Sequence, residues 1–451
     1  MRKTWIGAPA TPPERPLFTE RLLLRAFSNA ALSAPDRALC QELVYGVVRW
    51  RATLDALIDR KTGARPQKIP LQNCLRLGLF QIFWLRRIPP HAAVHETVET
   101  AKRLGLAAQA GFINAVLRSC LREAEQIQKL LDSWKTSRPA LGWSHPDWLV
   151  EKWSRRFGPQ NTLRLLEWNN TPPKTFARVN ALKIDAARLL ETWRSEGVQF
   201  DFWPGPAHLR GEQPPAPALP KNLVFELKSH PPLASLKSFQ DGWFYIQDPA
   251  TLFAPLALDP QPGATIWDVC AAPGGKTTFI AQCMANHGLI MAGDTSKERL
   301  KLLRENCQRL GVTIARFPSD LGRGRRRNGA GNMPLFDKIL LDAPCSNTGV
   351  LRRRVDLRWR LAPAEIHRLA GEQFDLLESA AARLKPDGIL VYSTCSLEPE
   401  ENGQVLSKFL ASDKRFVLEW QREILPFADG VDGAFIARLR RDPNAWPRKR
   451  G

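Results

Sequence analysis

Two cysteines in this 451-residue chain stand in settings that suit covalent chemistry. Cys345 lies in LLDAPCSNTG and Cys395 in YSTCSLEPEEN, and in each an apolar, strand-like run ends in a small polar turn with the thiol at its tip. In an open α/β sheet such turns project from the carboxyl edge into the crevice where ligands bind. Carbon 5 of a cytosine is a poor nucleophile, but a thiolate adding at carbon 6 makes the ring enamine-like and able to attack a sulfonium methyl group. The carbon 5 proton must then leave and the thiol be expelled, steps that a second acid/base group beside the first can assist. The two turns alone leave open which thiol plays which part. A free thiol has a pKa of about 8.5 and needs a cationic neighbour or exposed N–H groups to become reactive. Buried cysteines are common and inert, which is the expectation for Cys40, Cys74, Cys120, Cys283 and Cys307. The Pro, Ser, Thr and Asn around Cys345 and Cys395 argue for exposure.

A third turn, DVCAAPGGKTT at 268–278, follows an apolar strand and leads into a helix. Gly274 and Gly275 let the backbone approach a ligand closely. Gly275-Lys276-Thr277 supplies the end of a phosphate-binding P-loop, but Cys270 stands where its first glycine is required, and G-x-G-x-x-G is not matched either. Asp294, at the end of LIMAGD, is placed to accept hydrogen bonds from ribose hydroxyls, or alternatively to cap the helix that follows Thr295-Ser296. Asp342, three residues before Cys345, is placed to bond the amino edge or protonated ring nitrogen of cytosine, to touch the cofactor, or to cap its own turn. His91 and His95 have i,i+4 spacing but no H-E-x-x-H and no third ligand, so they are read as structural and no metal is expected.

These turns need a scaffold, and a single core seldom exceeds roughly 250 to 300 residues, so several domains are expected. From Phe18 to about Glu123 apolar residues return at helical spacing, with breaks at Thr62–Pro70 and at Pro89-Pro90, which predicts an all-α bundle. A mixed, proline-rich region to about Lys237 reads as a small α+β connector. Beyond it, ATIWDVC, LIMAGD, FDKILLDAP and GILVYSTC alternate with amphipathic stretches such as SKERLKLLRENCQRLG, the pattern of a doubly wound α/β domain. The expected divisions are 1–138, 139–237 and 238–451. The Arg/Gly-rich stretch at 321–335 is expected to be a loop, either a solvated insertion or a nucleic-acid contact. Lys and Arg number 65 against 45 Asp and Glu, a net charge of +20, which favours a polyanionic partner. No stretch resembles a signal peptide or a membrane span of about 20 residues, and the cysteines form no C-x-x-C pair, so a cytoplasmic protein off the membrane is expected.

Taken together, DVCAAPGGKTT, LLDAPCSNTG and YSTCSLEPEEN resemble the motifs of the RsmB/Sun family of bacterial 16S ribosomal RNA cytosine-5 methyltransferases, and the likeness covers nearly the whole chain. The N-terminal helices look like that family's NusB-like RNA-binding bundle, and SHPDWLVEKW with FARVN resembles its connecting region. The resemblance implies a Rossmann-like methyltransferase domain, S-adenosylmethionine as methyl donor, and RNA as partner, either 16S ribosomal RNA or a small-subunit assembly intermediate; a monomer is expected, although nothing in the sequence fixes the oligomeric state. It implies Cys395 as nucleophile and Cys345 as the residue that assists release. Cys270, Ala271, Ala272, Pro273, Gly274, Gly275, Lys276, Asp294, Asp320 and Asp342 match its S-adenosylmethionine contacts. Departures are Asn347 where glycine is usual, Val355 where proline is usual, and Ala434 in a motif that usually reads Asp-Gly-Phe-Phe. A non-catalytic RNA-binding or antitermination factor would fit the bundle and charge but needs neither thiol. An NTP-dependent RNA remodeller would fit Gly275-Lys276-Thr277 but lacks the first P-loop glycine.

Overall fold

The computed structural model describes residues 18–28, 32–203, 205, 219–317 and 333–443. Its contacts divide the chain into two units, Met1–Leu166 with Arg354–Trp359, and Glu167–Arg353 with Arg360–Gly451.

The first unit is helical. Ser33 caps helix Ala34–Arg49 by accepting from the Asp36 N–H, and helix Arg51–Thr62 stops where Gly63 turns left-handed at φ 61°. Helices Ile69–Trp84, Pro90–Arg103, Ala110–Arg122 and Ala124–Ser137 follow, so both predicted breaks fall between helices. Leu54, Leu57, Ile58, Leu75, Leu79, Ile113 and Leu117 return at helical spacing and form one core. The segment Arg354–Trp359 belongs to this unit although it lies far along the chain. The Arg358 guanidinium, wholly buried, donates to Ser144 O at 3.2 Å, and Trp359 Nε1 donates to Val48 O at 2.7 Å. Burial, with Arg49 nearby, pushes Arg358 down to about 9.

The second unit holds two sheets. The smaller is antiparallel, in the order β2-β3-β1-β4, from β1 (Thr175–Val179), β2 (Gln199–Phe202), β3 (Val224–Ser229) and β4 (Phe244–Ile246). Leu189 and Trp193 of helix Ala186–Ser195 cover one face, packing on Ala177, Phe225 and Phe244. Phe176 and Val224 on the other face meet Leu252 and Phe279. Arg178, in the FARVN segment, ties the sheets together. Its guanidinium is wholly buried, donates to Gly275 O at 3.1 Å and Thr278 Oγ1 at 3.0 Å, and is pushed down to about 10 by that burial.

The larger sheet consists of β5 (Thr265–Asp268), β6 (Leu289–Ala292), β7 (Ala315–Arg316), β8 (Phe336–Asp342), β9 (Leu384–Thr394), β10 (Phe416–Ile424) and β11 (Ala434–Arg441), in the order β10-β11-β9-β8-β5-β6-β7. β5 to β9 run parallel, and β11 and β10 add an antiparallel edge. Alternation along the strands divides the core in two. Ile266, Ile290, Leu340 and Val391 pack on one face, while Trp267, Ile339, Leu341, Leu390 and Tyr392 pack on the other. This is the doubly wound domain expected from the sequence. From β5 the chain winds outward through β6 and β7, then resumes on the other side of β5 with β8, so the switch point falls where β5 and β8 end.

Candidate functional site

After β5, the turn is held by its own backbone. Ala271 N donates to Gly293 O at 2.7 Å, Gly293 N to Asp268 O at 3.0 Å, and Gly274 N to Ala271 O at 2.9 Å. Gly274 caps the next helix at φ 108°, and a Cβ there would come within 2.8 Å of Leu303 Cδ1. Side chains brace the outer rim, where Asn306 Nδ2 donates to Pro273 O at 2.9 Å and Arg299 donates to Ala272 O. Cys270 is half-buried in this turn, and burial raises its thiol.

Three carboxylates line the same sheet edge. Asp268, buried at the end of β5, accepts from Thr277 Oγ1 at 2.6 Å; burial outweighs that bond and raises it to about 7. Asp294, after β6, accepts from Ser296 N at 3.0 Å and faces Arg299 at 3.3 Å, while Ser296 itself caps the helix. Asp342, ending β8, accepts from Lys276 Nζ at 2.6 Å and from Ser393 Oγ at 2.8 Å. Burial alone would lower Lys276, but the Asp342 charge overrides it and raises the ammonium, and negative charge on the Cys395 sulfur acts in the same direction.

Cys345 and Cys395 come together, their Sγ atoms 3.4 Å apart. The strand ladder does not do this: its last β8–β9 pair is Asp342 with Ser393, and both thiols lie beyond it. The hydrogen bond with Cys395, then burial, pushes the Cys345 thiol well above the ordinary thiol range. Asn347, at φ 59°, bridges the pair; its Nδ2 donates to Cys345 O at 2.6 Å and its Oδ1 accepts from Cys395 Sγ at 3.1 Å. Behind the thiols, Gly349 N donates to Cys395 O at 2.9 Å and Gly433 N to Gly349 O at 2.9 Å. A Cβ on Gly349 would come within 2.6 Å of Gly433 O.

Beneath both turns lies the wholly buried Glu401 carboxylate. Oε1 accepts from Ser346 N at 2.8 Å and Gln373 Nε2 at 3.1 Å, and Oε2 accepts from the hydroxyls of Ser346 and Ser396. Sequence reasoning missed Glu401, Gln373 and the contacts of Asn347. The one signal was the polar run EPEEN after an apolar strand. Residues 318–332, which include Asp320 and most of the Arg/Gly-rich stretch, lie outside the described residues. Of the remaining cysteines, Cys74, Cys120 and Cys307 are buried, and Cys40 and Cys283 are half-buried. Among the described residues no group of three or more His, Cys, Asp or Glu could hold a metal ion, and no helix is long and apolar enough to cross a membrane.

Family models match three stretches of the chain: 16S rRNA methyltransferase RsmB/F over residues 255–440, the NusB family over 13–122, and an RsmF/B-like ferredoxin-like domain over 145–207. A Synechocystis sp. protein named "Probable ribosomal RNA small subunit methyltransferase B" is 37% identical, covering 95% of this chain and 96% of its own. An Enterobacter sp. ribosomal RNA small subunit methyltransferase B is 34% identical, covering 90% and 91%. Among solved structures, NSun6 from Pyrococcus horikoshii with SFG, a S-adenosylmethionine analogue, is 27% identical with TM-score 0.55, over 66% of this chain and 98% of that one.

Proposed function

Because the chain belongs to the RsmB/F family of 16S rRNA methyltransferases, we propose that it methylates carbon 5 of a cytosine in small-subunit ribosomal RNA, with Cys395 as nucleophile and Cys345 assisting release. The observation that carries this reading is the 3.4 Å approach of two thiols at the switch-point edge of the sheet. The residues there also fit S-adenosylmethionine, since carboxylates at the ends of β5, β6 and β8 are acceptors for ribose hydroxyls and complement a sulfonium. When bound, S-adenosylmethionine supplies an electrophilic methyl group.

The chain's own residues supply the rest. Hydrogen bonding to Cys395 and burial hold the proton on Cys345, and Cys395, once it has given its own proton to water, is the sulfur that attacks. Its addition forms a bond to carbon 6 and pushes an electron pair toward carbon 5, which takes up the methyl group. Each oxygen of Asp342 accepts one hydrogen bond, from Lys276 and from Ser393, and keeps a lone pair to accept from the amino edge of the base. Once the Cys395 sulfur is bonded to carbon, it no longer holds the Cys345 proton. Cys345 then loses that proton to water, its thiolate takes the carbon 5 proton, and the electron pair of the broken C–H bond restores the carbon 5–carbon 6 double bond and expels Cys395 as thiolate.

Incubation of the protein with small-subunit ribosomal RNA and methyl-labelled S-adenosylmethionine, followed by mass spectrometry of the nucleosides, tests this reading. Label in 5-methylcytidine is expected. Label confined to another nucleoside contradicts it.

A further inference from the structure

We propose that Glu401 is a positioning residue of this reaction, a buried clamp that sets the distance between Cys345 and Cys395. The inference rests on the two-thiol reading above and adds a residue to it. The β8–β9 ladder ends at Asp342 and Ser393, with one further backbone bond from Ala343 N to Ser393 O at 2.8 Å, so ladder bonds no longer register the two turns at the cysteines. The Gly349 N–Cys395 O bond, the Asn347 amide and a 3.1 Å contact between the Ser346 and Ser396 hydroxyls link them there, and the Glu401 side chain is the one group that holds both residues next to the cysteines from below. Ser346 and Ser396 directly follow the two cysteines, and both hydroxyls donate to Oε2, while Ser346 N donates to Oε1 at 2.8 Å.

The clamp is itself anchored. Gln373 Nε2 donates to Oε1 at 3.1 Å, and Tyr392 Oη on β9 donates to Glu401 O at 2.5 Å. Asn402, the next residue, donates to Ser396 O at 2.9 Å and accepts from Thr394 Oγ1 at 2.6 Å. All four groups that meet the carboxylate are donors, which an ionised carboxylate satisfies and an amide does not. Burial raises Glu401 above the ordinary carboxylate range against the four donors that lower it, so the charge is kept there at a desolvation cost and what it gains is one fixed arrangement of the two turns. The arrangement specified is the one the chemistry needs, since misplacing a reacting group by about 1 Å can cost on the order of 100-fold in rate.

The test uses the full-length protein with Glu401→Gln, of nearly the same shape, and with the double variant Ser346→Ala/Ser396→Ala, which removes both hydroxyl donors but leaves the carboxylate. Three quantities are read: kcat and KM on ribosomal RNA, S-adenosylhomocysteine affinity by calorimetry, and the rate at which diamide links Cys345 to Cys395, followed by peptide mass spectrometry. Diamide takes the two thiol hydrogens and is reduced to its hydrazine, so the linking rate reports thiol geometry without any catalysis. For both variants kcat should fall about 10- to 100-fold with KM and S-adenosylhomocysteine affinity unchanged, and linking should slow by a similar factor. A purely structural role would lower thermal stability and affinity together and leave kcat of the folded fraction intact. Unchanged kcat and linking rate in the double variant overturn the proposal, even if Glu401→Gln fails to fold. Should Cys395→Ala methylate normally in parallel, the two-thiol reading fails instead, whatever the clamp does.

Discussion

The turn after β5 and the paired turns after β8 and β9 occupy one sheet edge but are held by different means. Backbone bonds among Asp268, Ala271, Gly274 and Gly293 fix the first, with a left-handed glycine at its end. Side chains carry more of the second: Glu401 from below and Asn347 between the thiols, with the backbone bonds Gly349 N–Cys395 O and Gly433 N–Gly349 O behind. A turn fixed by backbone conformation tolerates change in most side chains but not in its glycine. A turn fixed by a remote carboxylate fails when any one polar partner is lost. Cofactor binding and thiol geometry should therefore be separable by mutation.

The sharpest separation pairs two glycines. Gly349→Val forces the turn after β8 away from Gly433 and Cys395 and should cut kcat by about 100-fold or more while leaving S-adenosylhomocysteine affinity near wild type by calorimetry. Gly274→Val, strained at φ 108° and pressed on Leu303, should do the reverse; affinity falls by more than about tenfold while diamide linking of Cys345 and Cys395 is unaffected. Loss of both properties in either variant breaks the comparison. Asp294→Asn should weaken S-adenosylhomocysteine by about tenfold, since a charged hydrogen bond becomes a neutral one, with linking again unchanged. An unaltered affinity would remove Asp294 from the cofactor site.

Proton linkage gives a smaller effect. Asp268 rises from 3.8 to about 7 on folding, so between about pH 4 and pH 7 the folded chain holds the proton more tightly than the unfolded one. That contribution to stability is complete below pH 4 and lost as pH rises toward 7, at up to about 1.4 kcal/mol per pH unit. Denaturant unfolding of Asp268→Asn across this range should show a flatter pH dependence than wild type; parallel curves would contradict it. Smallest is Asn347→Gly, which removes the acceptor from Cys395 at a backbone position glycine adopts freely. Iodoacetamide should then alkylate Cys395 about two- to fivefold faster at neutral pH, and slower alkylation would contradict the assigned contact.

What was legible in the sequence follows the same division. β5, β6, β8 and β9, and the helices between them, are announced by apolar runs and periodicity. The turn after β5 is announced by its own small residues, because backbone geometry restricts residue type within a few positions. Nothing local announces that Glu401 reaches Ser346, 55 residues earlier in the chain. Nor does anything in RVDLRW announce that residues 354–359 pack with the helical unit, because Arg358 donates to Ser144, 214 positions away, and the Trp359 indole to Val48, 311 positions away. Asn347 reads in sequence as a departure from glycine; its φ of 59° explains why asparagine is tolerated, and its amide explains what it adds.

The division of labour between the thiols is tested most directly by trapping the covalent intermediate. Labelled ribosomal RNA and S-adenosylmethionine are mixed with wild type, Cys345→Ala and Cys395→Ala, and the products are run on a denaturing gel. The account predicts that Cys345→Ala accumulates protein linked to RNA, because attack and methyl transfer proceed while release is impaired, and that Cys395→Ala forms no adduct and no methylated product. An adduct in Cys395→Ala and none in Cys345→Ala would mean the roles are exchanged, and normal methylation by both variants would contradict the thiol mechanism altogether.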